Sequence, residues 1–237
     1  MKALKQIKWL VVLSLIIVLS ACSSTQQAYL QNIKLYLASN EVLTISNQQI
    51  IATPVDLSYI KNGDRPGATM ALAFIENGEY KWLSGDDAMF ITVNGRIVRT
   101  LGFEENLLYT SNLAIDPILE PTVPSIQSRT WTRRIDTDVI GANDFGAELI
   151  SVFSAPQNST IQIQDIEFSV FEIQEFVSYS SVVNGSKTWT NHFYYDLNTN
   201  RLLKSIQTPA PNIDRLEITY LSRALRLVKP ELLEESK

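Results

Sequence analysis

Three of the four Asn-Gly dipeptides in this chain constrain its fold more than any other feature of its sequence. They stand at Asn77-Gly78, Asn94-Gly95 and Asn184-Gly185, each between two apolar or aromatic-rich runs. Asn-Gly favours the type I′ turn, whose twist matches that of paired antiparallel strands, so each dipeptide predicts a tight hairpin. We therefore expect a mostly β fold: an antiparallel meander that forms a curved sheet with a barrel-like or sandwich arrangement.

The apolar runs between turn signals predict eleven strands after one short N-terminal helix. Apolar and polar residues mix from Gln27 to Ala38 in a pattern compatible with that helix. Asn40 is its expected stop. The predicted strands are Ile51–Ile60, Ala68–Glu76, Glu79–Leu83, Ala88–Val93, Arg96–Leu101, Arg129–Asp136, Ala147–Ala155, Ile161–Val183, Lys187–Asp196, Arg201–Gln207 and Leu216–Leu221.

The stretch 102–128 interrupts this pattern. Its first part, Gly102–Leu108, predicts a helical turn, and Pro117, Pro121 and Pro124 follow. Proline lacks the N–H that a strand ladder needs, so this part is expected to be a crossover loop. The prolines leave open a subdivision at residues 116–128 of an otherwise single domain, residues 23–237.

If Asn77-Gly78 and Asn184-Gly185 each form a two-residue loop, the register of the two hairpins is fixed. The first loop also predicts that its four paired residues share one apolar face. The predicted pairs are Ile75 with Tyr80, Ala73 with Trp82, Phe176 with Phe193, and Val177 with His192.

The segment Ile161–Val183 changes phase twice. Apolar positions shift from one side of the predicted strand to the other near Gln164–Asp165 and again at Val170–Phe171. A regular strand that shifts phase would turn its core face outward. We therefore expect a β-bulge or a sharp bend at each place, within one long, curved strand.

The N-terminus has the parts of a secretory signal. Three lysines precede an apolar run from Trp9 to Leu19, and the run ends in Leu19-Ser20-Ala21-Cys22. As a helix, Trp9–Ala21 would be about 20 Å long, too short for a hydrocarbon core of ~30 Å. This resembles a bacterial lipobox, which predicts a signal peptide, residues 1–22, and a lipid on Cys22. The alternatives are a soluble secreted protein with a chance cysteine and an uncleaved signal anchor.

The mature chain is acidic. Removing the three lysines of the signal changes the formal charge from −5 to −8. Such a chain is a poor partner for nucleic acid or for an anionic membrane surface. Cys22 is the single cysteine, so with Cys22 lipidated no disulfide can form.

Few routes to catalysis are visible. His192 is the single histidine, and it lies in a predicted strand where hydrogen bonding within the sheet is the expected role. No Gly-x-Ser-x-Gly, phosphate-binding loop or metal-binding cluster occurs, so we expect no enzyme activity, catalytic residue, metal or cofactor. Carboxylate pairs close together in the sequence keep a carbohydrate-active enzyme as the third alternative. They are Asp86/Asp87, which we interpret as turn residues, Glu104/Glu105 and Asp136/Asp138.

Aromatic side chains on predicted strands offer another possibility. Trp82, Trp131 and Trp189 are the candidates for stacking on sugar rings, and Tyr194 and Tyr195 lie on a strand as well. Packing within a core or across strands is the commoner use of such rings. A polysaccharide-binding module is therefore the second functional hypothesis.

Two stretches resemble a known family. The first, Ala71–Gly102, combines a tryptophan strand with a Gly95-Arg96 hairpin that runs to Thr100-Leu101-Gly102. The second, Trp189–Pro211, contains Trp-x-Asn, then Asp196, then Ser205-x-Gln207. With the lipobox, they resemble the YjbF/GfcB family of outer-membrane lipoproteins, encoded with group 4 capsule and exopolysaccharide genes. Asn200, where the family often has glycine, and His192-Phe193 are local departures.

The resemblance implies a function and a location. It implies an accessory or scaffold lipoprotein of capsule or exopolysaccharide secretion, anchored in the outer membrane and facing the periplasm. The implied partners are a large outer-membrane barrel protein and a soluble periplasmic protein, with the polysaccharide itself as a further possible ligand. The family supplies no catalytic residues.

Overall fold

A computed structural model describes residues 45–122, 126, 129–181 and 184–228. This part of the chain is mostly β, as predicted, with thirteen strands and two short helices. The helices are α1 (Asn47–Ala52) and α2 (Leu221–Val228). The strands are β1 (Leu57–Asn62), β2 (Ala68–Glu76), β3 (Glu79–Leu83), β4 (Met89–Val93), β5 (Arg96–Leu101), β6 (Asn106–Thr110), β7 (Thr130–Asp138), β8 (Asp144–Phe153), β9 (Gln157–Ile163), β10 (Ile166–Ser181), β11 (Gly185–Asp196), β12 (Leu202–Gln207) and β13 (Leu216–Thr219).

All strands belong to one antiparallel sheet that is curved into a nearly closed barrel. Its order is β5-β4-β3-β2-β1-β13-β12-β11-β10-β8-β7-β6, and β9 pairs with β10. The end strands β5 and β6 are joined by side-chain hydrogen bonds rather than by a ladder. Thr110 Oγ1 donates to the Val98 carbonyl (3.1 Å), and the Leu107 N–H donates to Thr100 Oγ1 (2.9 Å). The predicted meander and barrel-like arrangement are thus confirmed.

The sheet is buried on both sides over part of its area. An interior cluster, which includes Trp82, Trp131 and Phe193, fills the barrel. A second cluster lies on the outside, where α1, α2 and the β9–β10 hairpin cover part of the sheet.

Helix α1 contains the first two residues of the predicted strand Ile51–Ile60, and β1 begins only at Leu57. Ser46 caps this helix, because its hydroxyl accepts from the Gln49 N–H (3.3 Å) and the Gln49 side chain accepts from the Ser46 N–H (2.9 Å). This capping box signals a helix start. The predicted N-terminal helix, from Gln27 to Ala38, lies outside the described residues.

Helix α2 was not predicted. It places Leu221, Ala224 and Leu225 on one buried face, at the spacing that an amphipathic helix requires. Arg226 extends from it to Asp56 and donates from Nη2 to Oδ2 (2.7 Å). The predicted strand Leu216–Leu221 therefore ends early, at Thr219.

Two Asn-Gly hairpins have the predicted turn. Asn77 and Gly78 have φ of 51° and 80°, and Asn94 and Gly95 have φ of 49° and 90°. A type I′ turn requires positive φ at both positions.

The register after the first of these turns is only partly as predicted. Ile75 pairs with Tyr80. The pairing of Ala73 with Trp82 is wrong, because a β-bulge between Leu72 and Phe74 shifts the register and places Leu72 opposite Trp82. The four residues also do not share one buried face, since Ile75 is exposed near the end of its strand.

The first phase change in Ile161–Val183 is a hairpin turn. Gln164 and Asp165 join β9 to β10, and Ile163 pairs with Ile166. Gln164 has a φ of 55°, which permits the tight turn. The chain thus reverses direction there, and the segment forms two paired strands rather than the one long, curved strand that was predicted.

The second predicted bulge, at Val170–Phe171, is wrong. Ladder pairing with β9 and β11 continues without a register shift through both residues. Val170 is buried in the outer cluster and Phe171 in the interior cluster. The apparent phase change therefore reflects a strand with apolar cover on both faces.

The predicted register at the Asn184-Gly185 hairpin is also wrong. Ser181 pairs with Gly185, so the loop contains three residues, 182–184, instead of two. Phe193 consequently lies opposite Ile173, and His192 lies opposite Gln174. Gly185 has a φ of 70°, as expected for the left-handed position that often follows a three-residue loop.

The stretch 102–128 contains more regular structure than predicted. Residues 106–110 form β6 rather than part of a helical turn, and short 3₁₀ turns follow at Leu113–Ile115 and Pro117–Leu119. Strands on both sides of the proline-containing stretch pair within the same sheet.

Candidate functional site

Four ionised side chains lie together inside the barrel. Arg96 begins β5, Arg133 lies on β7 and Glu175 lies in the middle of β10. Asp116 precedes the 3₁₀ turn at Pro117 and caps it by accepting from the Ile118 N–H (3.2 Å). Their exposures range from 0% for Glu175 to 3% for Asp116 and Arg133. We call these four residues the buried charge cluster.

The two acids of the cluster are paired with its two arginines. Arg96 makes a bidentate pair with Asp116, with Nε to Oδ2 at 2.8 Å and Nη2 to Oδ1 at 3.0 Å. Arg96 Nη1 also donates to Glu175 Oε2, and Arg133 Nη1 donates to Glu175 Oε1 (2.9 Å). The charges of the four groups sum to zero, which is the condition under which buried charges can be retained.

Neutral side chains complete the hydrogen bonding of Glu175. Ser151 Oγ donates to Oε1 (2.6 Å), and Asn191 Nδ2 donates to Oε2 (2.8 Å). Asn191 Oδ1 accepts in turn from the Thr208 N–H (2.8 Å). Each carboxylate oxygen of Glu175 thus has two donors, and the four donors come from four strands: β5, β7, β8 and β11.

The pKa values follow from this environment. Burial raises the pKa of Glu175, but Arg96, Arg133 and the hydrogen-bond donors outweigh it and hold the pKa at about 2. Burial lowers the pKa of Arg133 to about 10, and Glu175 offsets only part of that effect. Burial likewise disfavours charge on Arg96, but Asp116 and Glu175 together raise the pKa of its guanidinium. All three groups therefore stay ionised at neutral pH and are not suited to transfer protons.

Aromatic rings line the cluster. The Arg96 guanidinium lies 4.6 Å from the Trp131 ring centroid and 5.0 Å from that of Phe193, and Arg133 lies 4.3 Å from Trp131. Trp82 and Trp131 are 2% and 1% exposed. Both rings belong to the core and offer no exposed face on which a sugar could stack.

The remaining aromatic candidates are at least partly covered. Trp189 is half-buried, packs against the interior cluster and has a buried indole N–H without a partner among the described residues. Tyr195 is buried and stacks on Phe171 with centroids 5.2 Å apart. Tyr194 is partly buried against the outer cluster. None of them forms an open stacking platform.

Gln207 connects the two motif stretches across the barrel. Its Nε2 donates to the Gly95 carbonyl (2.8 Å) and to Ser205 Oγ (3.0 Å), and its Oε1 accepts from the Ile97 N–H (3.1 Å). Gly95 is the turn residue that places Arg96 in the cluster. The Gly95-Arg96 and Ser205-x-Gln207 motifs are thus parts of one hydrogen-bonded network.

Gly95 has little room for a side chain, which predicts a large effect of substitution. A Cβ at Gly95 would overlap Leu202 Cδ2, and Leu202 is buried. Gly95→Ala is expected to cost about 1–2 kcal/mol for the left-handed backbone and about 1–3 kcal/mol more for the overlap. Chemical denaturation of the purified protein measures the sum of these two losses in the free energy of unfolding. Gly78→Ala is the matched control, because Gly78 has a similar φ of 80° with nothing within 4 Å; equal losses in the two variants would contradict the packing argument.

The histidine and the carboxylates that the sequence singled out do not come together in one site. His192 Nδ1 bonds Glu172 Oε1 (2.6 Å) across β10 and β11, which confirms a histidine that is hydrogen-bonded within the sheet. Asp86 accepts from Ser84 Oγ within its turn, and Asp136 Oδ1 accepts from the Gly146 N–H (2.7 Å). Among the described residues, no group of three His, Cys, Asp or Glu side chains could hold a metal ion.

A second feature, a surface without charged residues, lies on the outside of the barrel. Two cross-strand rows over β7, β8, β10 and β11 contain no charged residue, and we call their eight residues the uncharged face. Ile150, Val152 and Phe176 are 42%, 45% and 44% exposed. The two rows are Thr132, Ile150, Ser178, Thr188 and Thr130, Val152, Phe176, Thr190.

Cys22, the predicted lipidation site, lies outside the described residues. No helix in the part of the chain that the structure covers is long and apolar enough to cross a bilayer.

The comparisons with known proteins agree with the sequence motifs. Residues 30–221 match the family model YjbF, described as group 4 capsule polysaccharide lipoprotein gfcB, YjbF. The chain is 30% identical to the lipoprotein GfcB of Escherichia coli (strain K12), over 87% of this chain and 94% of GfcB. It is 27% identical to the lipoprotein YjbF of the same strain, over 76% and 82%.

A solved structure supports the fold as well. The crystal structure of the hypothetical lipoprotein YmcC from Escherichia coli (K12) superposes with a TM-score of 0.68 at 29% identity, covering 78% of this chain and 91% of that one. The family model spans most of the sequence, including both motif stretches that meet in the barrel. The chain therefore belongs to the YjbF family of group 4 capsule polysaccharide lipoproteins.

Proposed function

We propose that this protein is a non-enzymatic accessory lipoprotein of capsule or exopolysaccharide export. In this role it is anchored through Cys22 in the outer membrane, faces the periplasm and holds a protein of the export machinery on its uncharged face. Family membership supports the link to capsule polysaccharide. The uncharged face is the observation that carries the binding role.

The composition of the face favours a protein partner. Interface centres are depleted of charge and enriched in aromatic and apolar side chains, and large exposed apolar patches mark interaction sites. Phe176 and Val152 are directly paired across β10 and β8, so their side chains form one continuous apolar ridge. Binding to anionic lipid would call for clustered lysine and arginine, and the face has none.

The two outer regions of the sheet differ in a way that supports this proposal. Where Val170, Leu203 and Leu57 point outward, α1, α2 and the β9–β10 hairpin cover them. On the uncharged face, no described part of the chain covers the apolar side chains, and they remain exposed. An outer-membrane barrel protein of the same export system is the proposed occupant.

A double substitution, Val152→Lys with Phe176→Lys, tests the role of the face. It should weaken partner binding by about 1,000-fold, because each of the two central apolar contacts is expected to contribute about 2 kcal/mol, or about 4 kcal/mol together. The expected result is a loss of polymer from the cell surface while the amount of membrane-bound protein stays the same. Surface polymer is measured by staining whole cells.

The control is Ile75→Lys, which places the same charge at an exposed apolar position of the β2–β3 hairpin. It should leave export unchanged. Normal surface polymer in the double variant, with the protein present in the membrane, would contradict the proposed function.

A further inference from the structure

A small cleft lies beside the Asn94-Gly95 turn and Asn200, and none of its lining residues belongs to the uncharged face. Its volume is about 190 Å³. At about 30 Å³ for each liquid water, it has room for about six waters, and it is smaller than the 300 Å³ at which sites for drug-sized ligands begin. This volume suits one six-membered sugar ring. The polar lining comes from Thr92, Asn94, Tyr195, Asn200, Tyr220 and Arg223.

Two tyrosine hydroxyls at this cleft are not satisfied by the described residues. Tyr195 and Tyr220 are 3% and 1% exposed, and neither hydroxyl completes a hydrogen bond of normal geometry among the described residues, although Tyr220 lies beside Thr92. Burial raises the pKa of both phenols, so both stay protonated and can donate as well as accept. A buried hydroxyl without a partner is costly, so an ordered water or a ligand in the cleft is expected to complete its hydrogen bonding.

Arg223 supplies one positive charge. It is the single charged residue in the lining, and its described contacts are with a backbone carbonyl and an aromatic ring rather than with a carboxylate. One nitrogen, Nη1, donates to the Leu202 carbonyl (2.7 Å), and the guanidinium packs 4.3 Å from the Tyr220 ring centroid. The guanidinium is therefore held in place while its other donors remain available to an anion.

Two residues that line the cleft are hydrogen-bonded to the buried charge cluster or to the network around it. Ile118 lines the cleft and donates its N–H to Asp116, while the Gly95 carbonyl accepts from Gln207. Asp116 is itself fixed by Arg96. Such support keeps a binding site at fixed geometry without contacting the ligand.

We propose that this cleft binds one terminal sugar residue that carries a carboxylate, as a uronic acid does. The carboxylate pairs with Arg223, and the sugar hydroxyls bond the tyrosine hydroxyls and the side-chain amides of Asn94 and Asn200. One cation and several neutral hydrogen-bonding groups match a single negative charge on a polyol, whereas a phosphate would call for more positive charge. This site is separate from the protein-binding face and does not depend on it.

Glucuronate binding to the mature lipoprotein, purified in detergent, tests the proposal. Isothermal titration should show saturable binding of glucuronate that is at least about tenfold tighter than that of glucose, the neutral analogue, since a charged hydrogen bond is the stronger kind. Arg223→Gln should remove this preference, and Arg223→Lys should retain part of it. Arg65→Gln, at an exposed arginine paired with Glu104, is the control and should bind as the wild type does.

Tyr195→Phe gives a second readout that does not depend on Arg223. It should weaken glucuronate binding about 2- to 10-fold by removing one hydrogen bond. It should also raise the melting temperature of the ligand-free protein by about 2–6 °C, because an unpartnered hydroxyl is removed. Failure of the wild type to bind glucuronate, or binding that neither Arg223→Gln nor Tyr195→Phe weakens, would overturn the proposal and leave a cleft that holds water.

Discussion

Glu175→Gln is expected to lower the free energy of unfolding by about 3–5 kcal/mol, the usual cost of removing one partner from a buried ion pair. The substitution keeps the shape of the side chain but leaves Arg96 and Arg133 with a single counter-charge, Asp116, inside the barrel. Urea denaturation measures the loss. Glu167→Gln, at an exposed position of the same strand, should change stability by no more than about 0.5 kcal/mol.

A double variant separates lost charge balance from lost packing. Adding Arg133→Met to Glu175→Gln removes one charge of each sign, so the double variant should be more stable than Glu175→Gln alone. A stability of Glu175→Gln within 1 kcal/mol of the wild type would mean that the cluster does not carry the energetic role described above.

The same residue predicts how stability depends on pH. The pKa of Glu175 is held at about 2 in the folded protein, below its ordinary value of 4.5. A depressed pKa stabilises the fold fully above pH 4.5, and that stabilisation is lost as the pH falls from about 4.5 to about 2. The loss is up to about 3 kcal/mol. The wild type should therefore lose more stability than Glu175→Gln over this interval, which acid denaturation of the two proteins compares.

Cys22→Ser is expected to release nearly all of the protein from the membrane. Each buried CH₂ contributes about 0.8 kcal/mol to membrane binding, and two or three acyl chains make the attachment stable. Without the thiol no chain can be attached, so the protein should move to the soluble fraction and lose the mass of the lipid. Ser23→Ala is the control and should stay in the membrane. Retention of Cys22→Ser in the outer membrane with an unchanged mass would contradict the anchor.

The fold could be predicted where local chemistry decides it. Asn77-Gly78 and Asn94-Gly95 set the turn type, and the strands on either side of them have nearly the predicted bounds. Asn184-Gly185 shows the limit of the same rule, because the dipeptide does not say which residue is the last to pair. Val170 and Phe171 show a second limit, since apolar residues on consecutive positions are equally typical of a phase change and of a strand buried on both faces.

The candidate site could be predicted only in part. Arg96, Asn191 and Gln207 stand in the motifs that carry the family resemblance, but nothing local to those motifs indicates that they contact one network. The residue pattern of one strand, β10, did contain a signal that points to the charge cluster. Glu175 lies two residues from Ile173 and Val177, which places a charge on the apolar side of β10. A charge in such a position predicts a buried counter-ion, although only the fold shows that the partners come from β5 and β7.

A photoreactive amino acid at position 176 tests the central claim, that the uncharged face binds a protein of the export machinery. The full lipoprotein is made in cells that carry its own capsule genes, irradiated, and its adducts identified by mass spectrometry. The account predicts a covalent adduct between position 176 and an outer-membrane barrel protein of that export system, and no such adduct when the photoreactive residue stands at position 75. No protein adduct from position 176, or equal yields of the same adduct from both positions, would contradict it.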